Sequence, residues 1–258
     1  MASEEKVRLG GMALANGVLV HGPKAWACAI RTDAGELKVA AARKRLRAAE
    51  LEQPLLRGPA RLLETLAVLP EIRRRLPEAR LPFQRPGIVV AAVGSATVVR
   101  TVRESDRLGP AARELLSGLL SVAPAVLALR SSDLAAYHGA EHISIGSYEH
   151  GERRPREHER CGTHLLGPLL ATSAAGNVLA ALAPWHLRRA ARVGAQLAAL
   201  AASTEIFGWM VRNPERRLAR WLARPGHELQ HRLATAEPTP DQVEVAEAAL
   251  RACLELER

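Results

Sequence analysis

Aromatic residues and lysine are scarce in this chain of 258 residues. Phenylalanine, tryptophan and tyrosine together make up 3% of it, and no aromatic pattern typical of RNA-stacking motifs is present. Four lysines among 36 basic residues leave 32 arginines. Because GC-rich codons also favour arginine, the net charge of +9 does not by itself indicate nucleic acid, which we disfavour as a partner. A basic surface that faces anionic lipid or RNA stays open as an alternative.

Cysteine is equally sparse. The three cysteines, Cys28, Cys161 and Cys253, lie far apart, which excludes a disulfide framework and suits a reducing compartment. They also lack the spacing of a zinc finger. The N-terminal stretch MASEEKVRLGG has acidic residues and no apolar run, so we expect no signal peptide.

Alanine and leucine carry most of the apolar content and favour helices. The exception is the stretch 7–42, where short apolar runs alternate with glycine-rich breaks. Asn16-Gly17 and the Asp-Ala-Gly of 33–35 are hairpin signals, so we predict a small sheet of three or four strands. The predicted fold class is α+β, with this sheet followed by a mainly α-helical bundle; that the bundle is a multi-pass membrane bundle is what the family resemblance described below implies.

The whole chain divides by composition into four regions. We predict a β-rich region over 1–45, amphipathic helices over 46–85, an apolar helical bundle over 86–211 that contains the motif at 137–164, and a helical tail over 212–258. Four apolar segments mark the bundle: 86–99, 115–129, 161–187 and 193–211.

A helix that spans a bilayer needs about twenty apolar residues. Only the third segment meets that length outright, and the fourth meets it if Glu205 faces protein rather than lipid. The alternative is a soluble protein with a buried alanine-rich bundle.

Side chains that can bind metal are concentrated in one stretch. Five of the nine histidines lie in residues 137–164, YHGAEHISIGSYEHGERRPREHERCGTH. In it, His138, Glu141 and His142 form the pattern H-x-x-E-H. Residues four apart lie on one face of a helix, so both imidazoles can reach one ion. Glu141 is then placed as a general base, as in the inverted zincins.

A catalytic zinc site needs a third protein ligand and an open position. The nearby candidates for that ligand are Glu149, His158 and Cys161. The sequence therefore predicts a site for zinc or another divalent metal. Tyr137 and Tyr148 are candidates to polarise an oxyanion.

Two other interpretations of this stretch stay open. Cys161 could be a nucleophile with His158 or His142 as its base, although no carboxylate that would orient the base is identifiable. The polar side chains could instead hold a helix pair together by hydrogen bonds. We also predict Thr163 as the N-cap of the apolar segment that follows, which would place Cys161 near a helix N-terminus.

The pattern YHGAEH…YEHG…HERCGT resembles the bacterial DUF1385 family, also called YqhQ-like. Two more blocks support the resemblance: GGMALANGVLVHGP, which is similar to that family's GGQAVIEGVMMRGP, and PGHELQHRLATAEPTPDQVEVAEAAL. It implies a metal-dependent enzyme with several membrane-spanning helices. The family motif falls on Tyr137, His138, Gly139, Ala140, Glu141, His142, Tyr148, Glu149, Gly151, His158, Arg160, Cys161, Gly162 and Thr163.

The chain departs from the family pattern at four positions. Met12, Asn16 and His21 replace a glutamine, a glutamate and an arginine of the N-terminal block, and Ile143 replaces the lysine after H-G-A-E-H. If the site is catalytic, we expect Met12 and Asn16 to lie away from the ion.

The resemblance also implies a topology. With four spans, the sheet, the motif loop over 130–160 and the tail share one side of the membrane. That side carries most of the arginine, so the positive-inside rule places it in the cytoplasm.

The first functional hypothesis is a membrane-embedded, zinc-dependent hydrolase in contact with lipid. The alternative is a non-catalytic assembly or scaffold factor that binds membrane proteins and holds a structural metal or a hydrogen-bonded cluster.

Overall fold

The computed structural model describes residues 6–82, 86–105, 107–129 and 132–258. Its N-terminal part is a four-stranded antiparallel sheet in the order β1-β2-β3-β4. The strands are β1 (Gly10–Leu14), β2 (Gly17–His21), β3 (Ala25–Arg31) and β4 (Leu37–Arg43). Turns at 15–16 and 33–35 join the hairpins where the sequence predicts them, so the small sheet is confirmed.

The rest of the described chain is mainly helical, which confirms the α+β class. The α-helices are α1 (Arg57–Arg75), α2 (Pro86–Glu104), α3 (Pro110–Leu129), α4 (Ser132–His150), α5 (Leu166–Ala181), α6 (Arg188–Arg212), α7 (Arg217–Leu229) and α8 (Pro240–Glu257). A 3₁₀ turn, Gly162–Leu165, precedes α5, and a π-helical turn, Gln230–Ala234, follows α7.

Both faces of the sheet are buried. Alternate residues of the central strands, such as Val18 and Ala27, face a core that α4 and α8 complete. The intervening residues, such as Leu19 and Trp26, face a second core that α1 completes through Val68 and Ile72. The period of two along each strand therefore separates two apolar layers.

Helix α8 joins the end of the described chain to its beginning. It starts with a capping box between Thr239 and Gln242 and has Pro240 in its first turn, as its sequence predicts. At its other end the buried Glu257 carboxylate accepts hydrogen bonds from the backbone N–H groups of Lys24 and Ala25 at 2.8 and 2.7 Å. The turn between β2 and β3 is thus held by a residue more than 200 positions away.

A buried ion pair links the sheet to α1. Lys44 Nζ lies 2.6 Å from Glu64 Oε2, and both side chains are almost fully buried. Glu64 also accepts a hydrogen bond from the backbone N–H of Ala48, and Lys44 Nζ donates to His21 Nδ1. Burial and the neighbouring Lys44 charge lower the pKa of His21 to about 3, so this imidazole is neutral and structural.

Asn16 fastens the first hairpin to the loop after α1. Its Nδ2 donates to the carbonyl oxygens of Arg31 and Glu78, and its Oδ1 accepts from the Arg80 backbone N–H. The side chain is directed at this loop, so the departure at position 16 has a structural role here.

Replacing Asn16 by alanine is expected to cost about 1–3 kcal/mol of folding free energy, because partly buried backbone groups lose their partners. Chemical denaturation measures the change. Asp33→Ala is the matched control, since Asp33 forms an exposed ion pair with Arg80 of the same loop and should change stability by less than about 1 kcal/mol. Equal effects of the two substitutions would contradict the role of Asn16.

The four apolar segments form two helical hairpins, α2 with α3 and α5 with α6. Within the described residues, one stretch, Gly162–Ala181, is long and apolar enough to cross a membrane, or two are if the bent pair Leu116–Ala128 and Asp133–His150 counts as a single broken span. Large apolar side chains on these hairpins are exposed, among them Val90, Leu182 and Trp185. Glu205 faces protein, since it pairs with Arg57.

Candidate metal centre

Helix α4 carries the H-x-x-E-H pattern in the interior of the protein, where it contacts β1, β2 and α8. Gly139 lies where the segment after α7 crosses the helix, and a Cβ at this position would lie 2.3 Å from the Ala236 carbonyl oxygen. The Ala236 N–H donates to the Ala135 carbonyl. Gly151, with a φ of +77°, ends the helix. Gly139 therefore permits the close approach of the segment at Ala236 to α4, and Gly151 permits the backbone conformation that ends this helix.

The two histidines of the pattern have one ring nitrogen each held by the backbone. His138 Nδ1 donates to the carbonyl of Ala234 at 2.8 Å, and His142 Nδ1 donates to that of Arg156 at 2.6 Å. A carbonyl accepts only, so Nδ1 carries the proton and Nε2 presents a lone pair. Metal-binding histidines are oriented in this way by outer hydrogen bonds.

Cys161 completes a group of three candidate ligands. Its Sγ lies 3.5 Å from His138 Nε2, and the ligand atoms of His138, His142 and Cys161 all lie within 4.8 Å of one another. Two ligands of a tetrahedral zinc, at Zn–N of about 2.0 Å and Zn–S of about 2.3 Å, are about 3.5 Å apart. The donor set of two imidazoles and a thiol therefore fits zinc.

The neutral state of His142 agrees with metal binding, whereas Cys161 would have to lose its proton to the ion. Burial, followed by the proximity of a second imidazole, that of His138, lowers the pKa of His142 well below its ordinary value, which keeps the His142 imidazole neutral. Burial raises the pKa of the Cys161 thiol. A raised thiol pKa disfavours the interpretation of Cys161 as a free nucleophile.

Glu141 borders the group without belonging to it. Its Oε2 lies 3.8 Å from His138 Nε2, and burial raises the pKa of the carboxyl to about 7. Gly11 of β1 covers the carboxyl group, since a Cβ there would lie 2.4 Å from Glu141 Oε1. A carboxyl group with such a pKa can both accept and release a proton near neutral pH.

Glu149 and His158, the other predicted ligands, form a separate pair. His158 Nε2 donates to Glu149 Oε2 at 3.1 Å, and His158 Nδ1 accepts from the Arg160 backbone N–H. Arg160 also pairs with Glu149 through its guanidinium group. Both ring nitrogens of His158 are therefore engaged, and the structure brings together three of the five predicted ligands.

The two tyrosines lie away from the cluster. Tyr137 packs in the core between α4 and the sheet, where burial raises its pKa. The Tyr148 hydroxyl accepts a hydrogen bond from the Val7 backbone N–H at 3.1 Å. Neither side chain is directed toward Glu141 in this arrangement.

Gln230 is a site residue that the sequence motifs do not reveal. It is fully buried in the π-helical turn and binds the loop 158–164 at four points: the N–H and the carbonyl of His158, the Thr163 hydroxyl and His164 Nδ1. Its sequence signal is its place in the block PGHELQHRLATAEPTPDQVEVAEAAL, where it follows Leu229 and lies in the part that resembles the family. Gln230 holds the backbone that carries Cys161.

The prediction of Thr163 as an N-cap is wrong. Thr163 lies inside the 3₁₀ turn, whose N-cap is Cys161, and its hydroxyl instead accepts from Gln230. A buried amide 67 residues away competes for the hydroxyl, and local spacing does not reveal it.

A large apolar cavity of about 1140 Å³ ends at the cluster. His138, Glu141 and Cys161 line one end, and apolar residues of α2 and α3 line the rest. Met12 also lines this cavity, whereas Asn16 and His21 are engaged elsewhere. Met12 thus shares the cavity with the candidate ligands, which does not support the expectation that it lies away from them. Asn16 is directed at the loop after α1, as that expectation requires, and Ile143 is buried on α4.

A comparison with protein-family models finds a match to the family described as "Protein of unknown function (DUF1385)" over residues 130–256. The matched region contains α4, the three candidate ligands and helices α5 to α8. No significant match is found among curated proteins or solved structures.

Proposed function

The chain belongs to the DUF1385 family through residues 130–256, and on this premise we propose that it is a zinc-dependent membrane protein that catalyses a hydrolysis. His138, His142 and Cys161 would hold the ion. The observation that carries the proposal is the convergence of these three ligand atoms within 4.8 Å, with both histidine Nδ1 atoms held by backbone carbonyls.

The surroundings favour a catalytic rather than a closed site. Catalytic zinc sites have three protein ligands and an open position, whereas structural sites are closed by four. Here three ligands lie at the end of a cavity that His138 and Cys161 themselves line. A zinc ion at this place would supply Lewis acidity toward a water molecule or a carbonyl oxygen.

Glu141 supplies the acid–base function in this proposal. Its carboxyl group lines the same cavity and can take a proton from water and return it to a leaving group. Glu149, His158 and Arg160 orient the loop that carries Cys161.

The membrane part of the proposal rests on the two helical hairpins. Their exposed valine and leucine side chains and the candidate span Gly162–Ala181 support insertion into a bilayer. The proposal of several passes further requires α2, α3 and α6 to span it. The arginine-rich regions then lie on the cytoplasmic side, by the positive-inside rule.

Elemental analysis of purified protein tests the ion. The wild type is expected to hold about one zinc per chain, and His138→Ala/His142→Ala to hold almost none, because two of its three ligands are gone. His186→Ala/His231→Ala, which removes two exposed histidines, is the matched control and should keep the ion. A wild type without stoichiometric metal would overturn the proposal.

The alternative of a structural site has its own support, since an ion would tie α4 to the loop 158–164. Glu141→Gln separates the two functions, because it spares the ligands and removes the base. A hydrolase should keep its zinc and lose about 10²–10⁴-fold in rate toward p-nitrophenyl esters of graded chain length. Hydrolysis by the wild type no faster than by this variant would favour the scaffold.

A further inference from the structure

The cavity that ends at Glu141 and Cys161 has an apolar wall along most of its extent and polar side chains at one end. Its volume of about 1140 Å³ exceeds the range of about 300–1,000 Å³ that is usual for ligand pockets. Among the described lining residues, the ionisable side chains all lie at one end: His138, Glu141 and Cys161.

The hydroxyl groups along the cavity are already satisfied. Ser95 Oγ of α2 donates to the Leu120 carbonyl at 2.5 Å, and Ser121 Oγ of α3 donates to the Ser117 carbonyl at 2.7 Å. The remaining wall of α2 and α3 consists of valine, isoleucine, alanine and proline. Among the described residues of this wall, a ligand therefore finds no free side-chain hydrogen-bond donor and only these two hydroxyl oxygens as acceptors.

This lining distinguishes between two kinds of occupant. A peptide carries an N–H and a C=O at almost every residue, and burying these groups unpaired costs free energy. A hydrocarbon chain carries none and gains about 0.8 kcal/mol for each CH₂ group buried. The wall thus favours an alkyl or isoprenoid chain over a polypeptide.

The mouth of the cavity opens onto an apolar surface. Val89 and Val93 line the cavity and are more than half exposed, and their neighbour Val90 is 70% exposed. A hydrocarbon chain that enters between these side chains passes from the apolar surface into the apolar cavity.

We infer that this cavity binds the hydrocarbon chain of a membrane lipid, with the polar end of the lipid at Glu141 and Cys161. The inference names the substrate class of the proposed hydrolase and to that extent rests on the proposed function. Binding of the hydrocarbon chain depends on α2 and α3 rather than on the ion. The lipid site and the proposed hydrolase activity can therefore be disproved separately.

Photo-labelling of the full-length protein in detergent tests the inference. The probes are two C16 fatty acids, one with a diazirine next to the carboxyl group and one with it near the terminal methyl group. The first is expected to label residues 161–163 and 11–12, and the second to label α2 and α3, as mapped by peptide mass spectrometry. The reverse pattern would overturn the proposed orientation.

Substitutions inside and outside the cavity provide the controls. Ala92→Trp, and on the facing helix Ala125→Trp, fill the cavity and should reduce labelling about tenfold or more, because excluding about two methylene groups already corresponds to that factor. Val90→Trp, on the same helix but outside the lining, should change it little. Circular dichroism shows which variants are folded, and either filled variant suffices for the test.

Three results would overturn the inference. Labelling that both filled variants retain would show contact with the outer surface only. Labelling of the cavity by a hydrophobic diazirine peptide and not by the fatty acids would assign it to polypeptide. Absence of labelling in the wild type would leave the cavity without a lipid. Labelling that persists in His138→Ala/His142→Ala supports the lipid site whether or not zinc is found.

Discussion

Replacing Gly226 by alanine is expected to destabilise the protein by about 3 kcal/mol, the upper part of the usual range for overpacking, and to weaken binding of the proposed zinc ion about tenfold or more. A Cβ at this position of α7 would lie 2.5 Å from the Thr163 carbonyl oxygen and 2.6 and 2.7 Å from His164 Cα and N. All three are backbone atoms, so no side-chain rotation relieves the overlap. The 3₁₀ turn next to Cys161 must move instead.

Chemical denaturation and zinc titration measure the two effects. Gly194→Ala in α6 is the matched control, because nothing lies within 4 Å of a Cβ at that position. It should leave zinc binding unchanged and stabilise the helix by up to about 1 kcal/mol. Similar behaviour of the two variants would show that α7 does not hold the turn in place.

Replacing Lys44 by methionine is expected to cost about 3–5 kcal/mol, because it leaves the buried Glu64 carboxylate without its counter-charge. The loss is large beside a typical folding free energy of about 5–15 kcal/mol. The second substitution, Lys44→Met/Glu64→Gln, removes the charge and keeps an acceptor for the Ala48 N–H. It should restore most of the stability.

Lys38→Met is the matched control for Lys44→Met. Lys38 pairs with Glu78 at 2.7 Å, but both side chains are partly exposed, so the change should stay below about 1 kcal/mol. A cost for Lys44→Met that does not exceed this control would mean that the ion pair adds little to the packing of α1 on the sheet.

The elements of the fold were largely predictable because their signals are local. The turn residues of 15–17 and 33–35 mark the hairpins, and the apolar segments form helices where predicted. The H-x-x-E-H spacing also placed His138 and His142 correctly on one helix face, since that depends only on the helical repeat.

The rest of the site depends on partners distant in sequence. His158 has the spacing of a ligand, but Glu149 and the Arg160 backbone engage both of its ring nitrogens. Gln230 has no local signal for its four hydrogen bonds, and the cavity exists only because the α2–α3 hairpin lies beside α4. Tertiary contacts thus determine which of the histidines keeps a ring nitrogen available for an ion.

The attachment of Glu257 to the turn at Lys24 and Ala25 has a consequence for biosynthesis. The hydrogen bond from Lys24 to Glu257 joins residues 233 positions apart, so the face of the sheet that α4 covers in part is not fully covered until α8 has been synthesised. All the helices of the two apolar hairpins emerge during this interval. A nascent chain must therefore keep a hydrophobic sheet face from aggregating while its apolar helices pack, which is a task for chaperones.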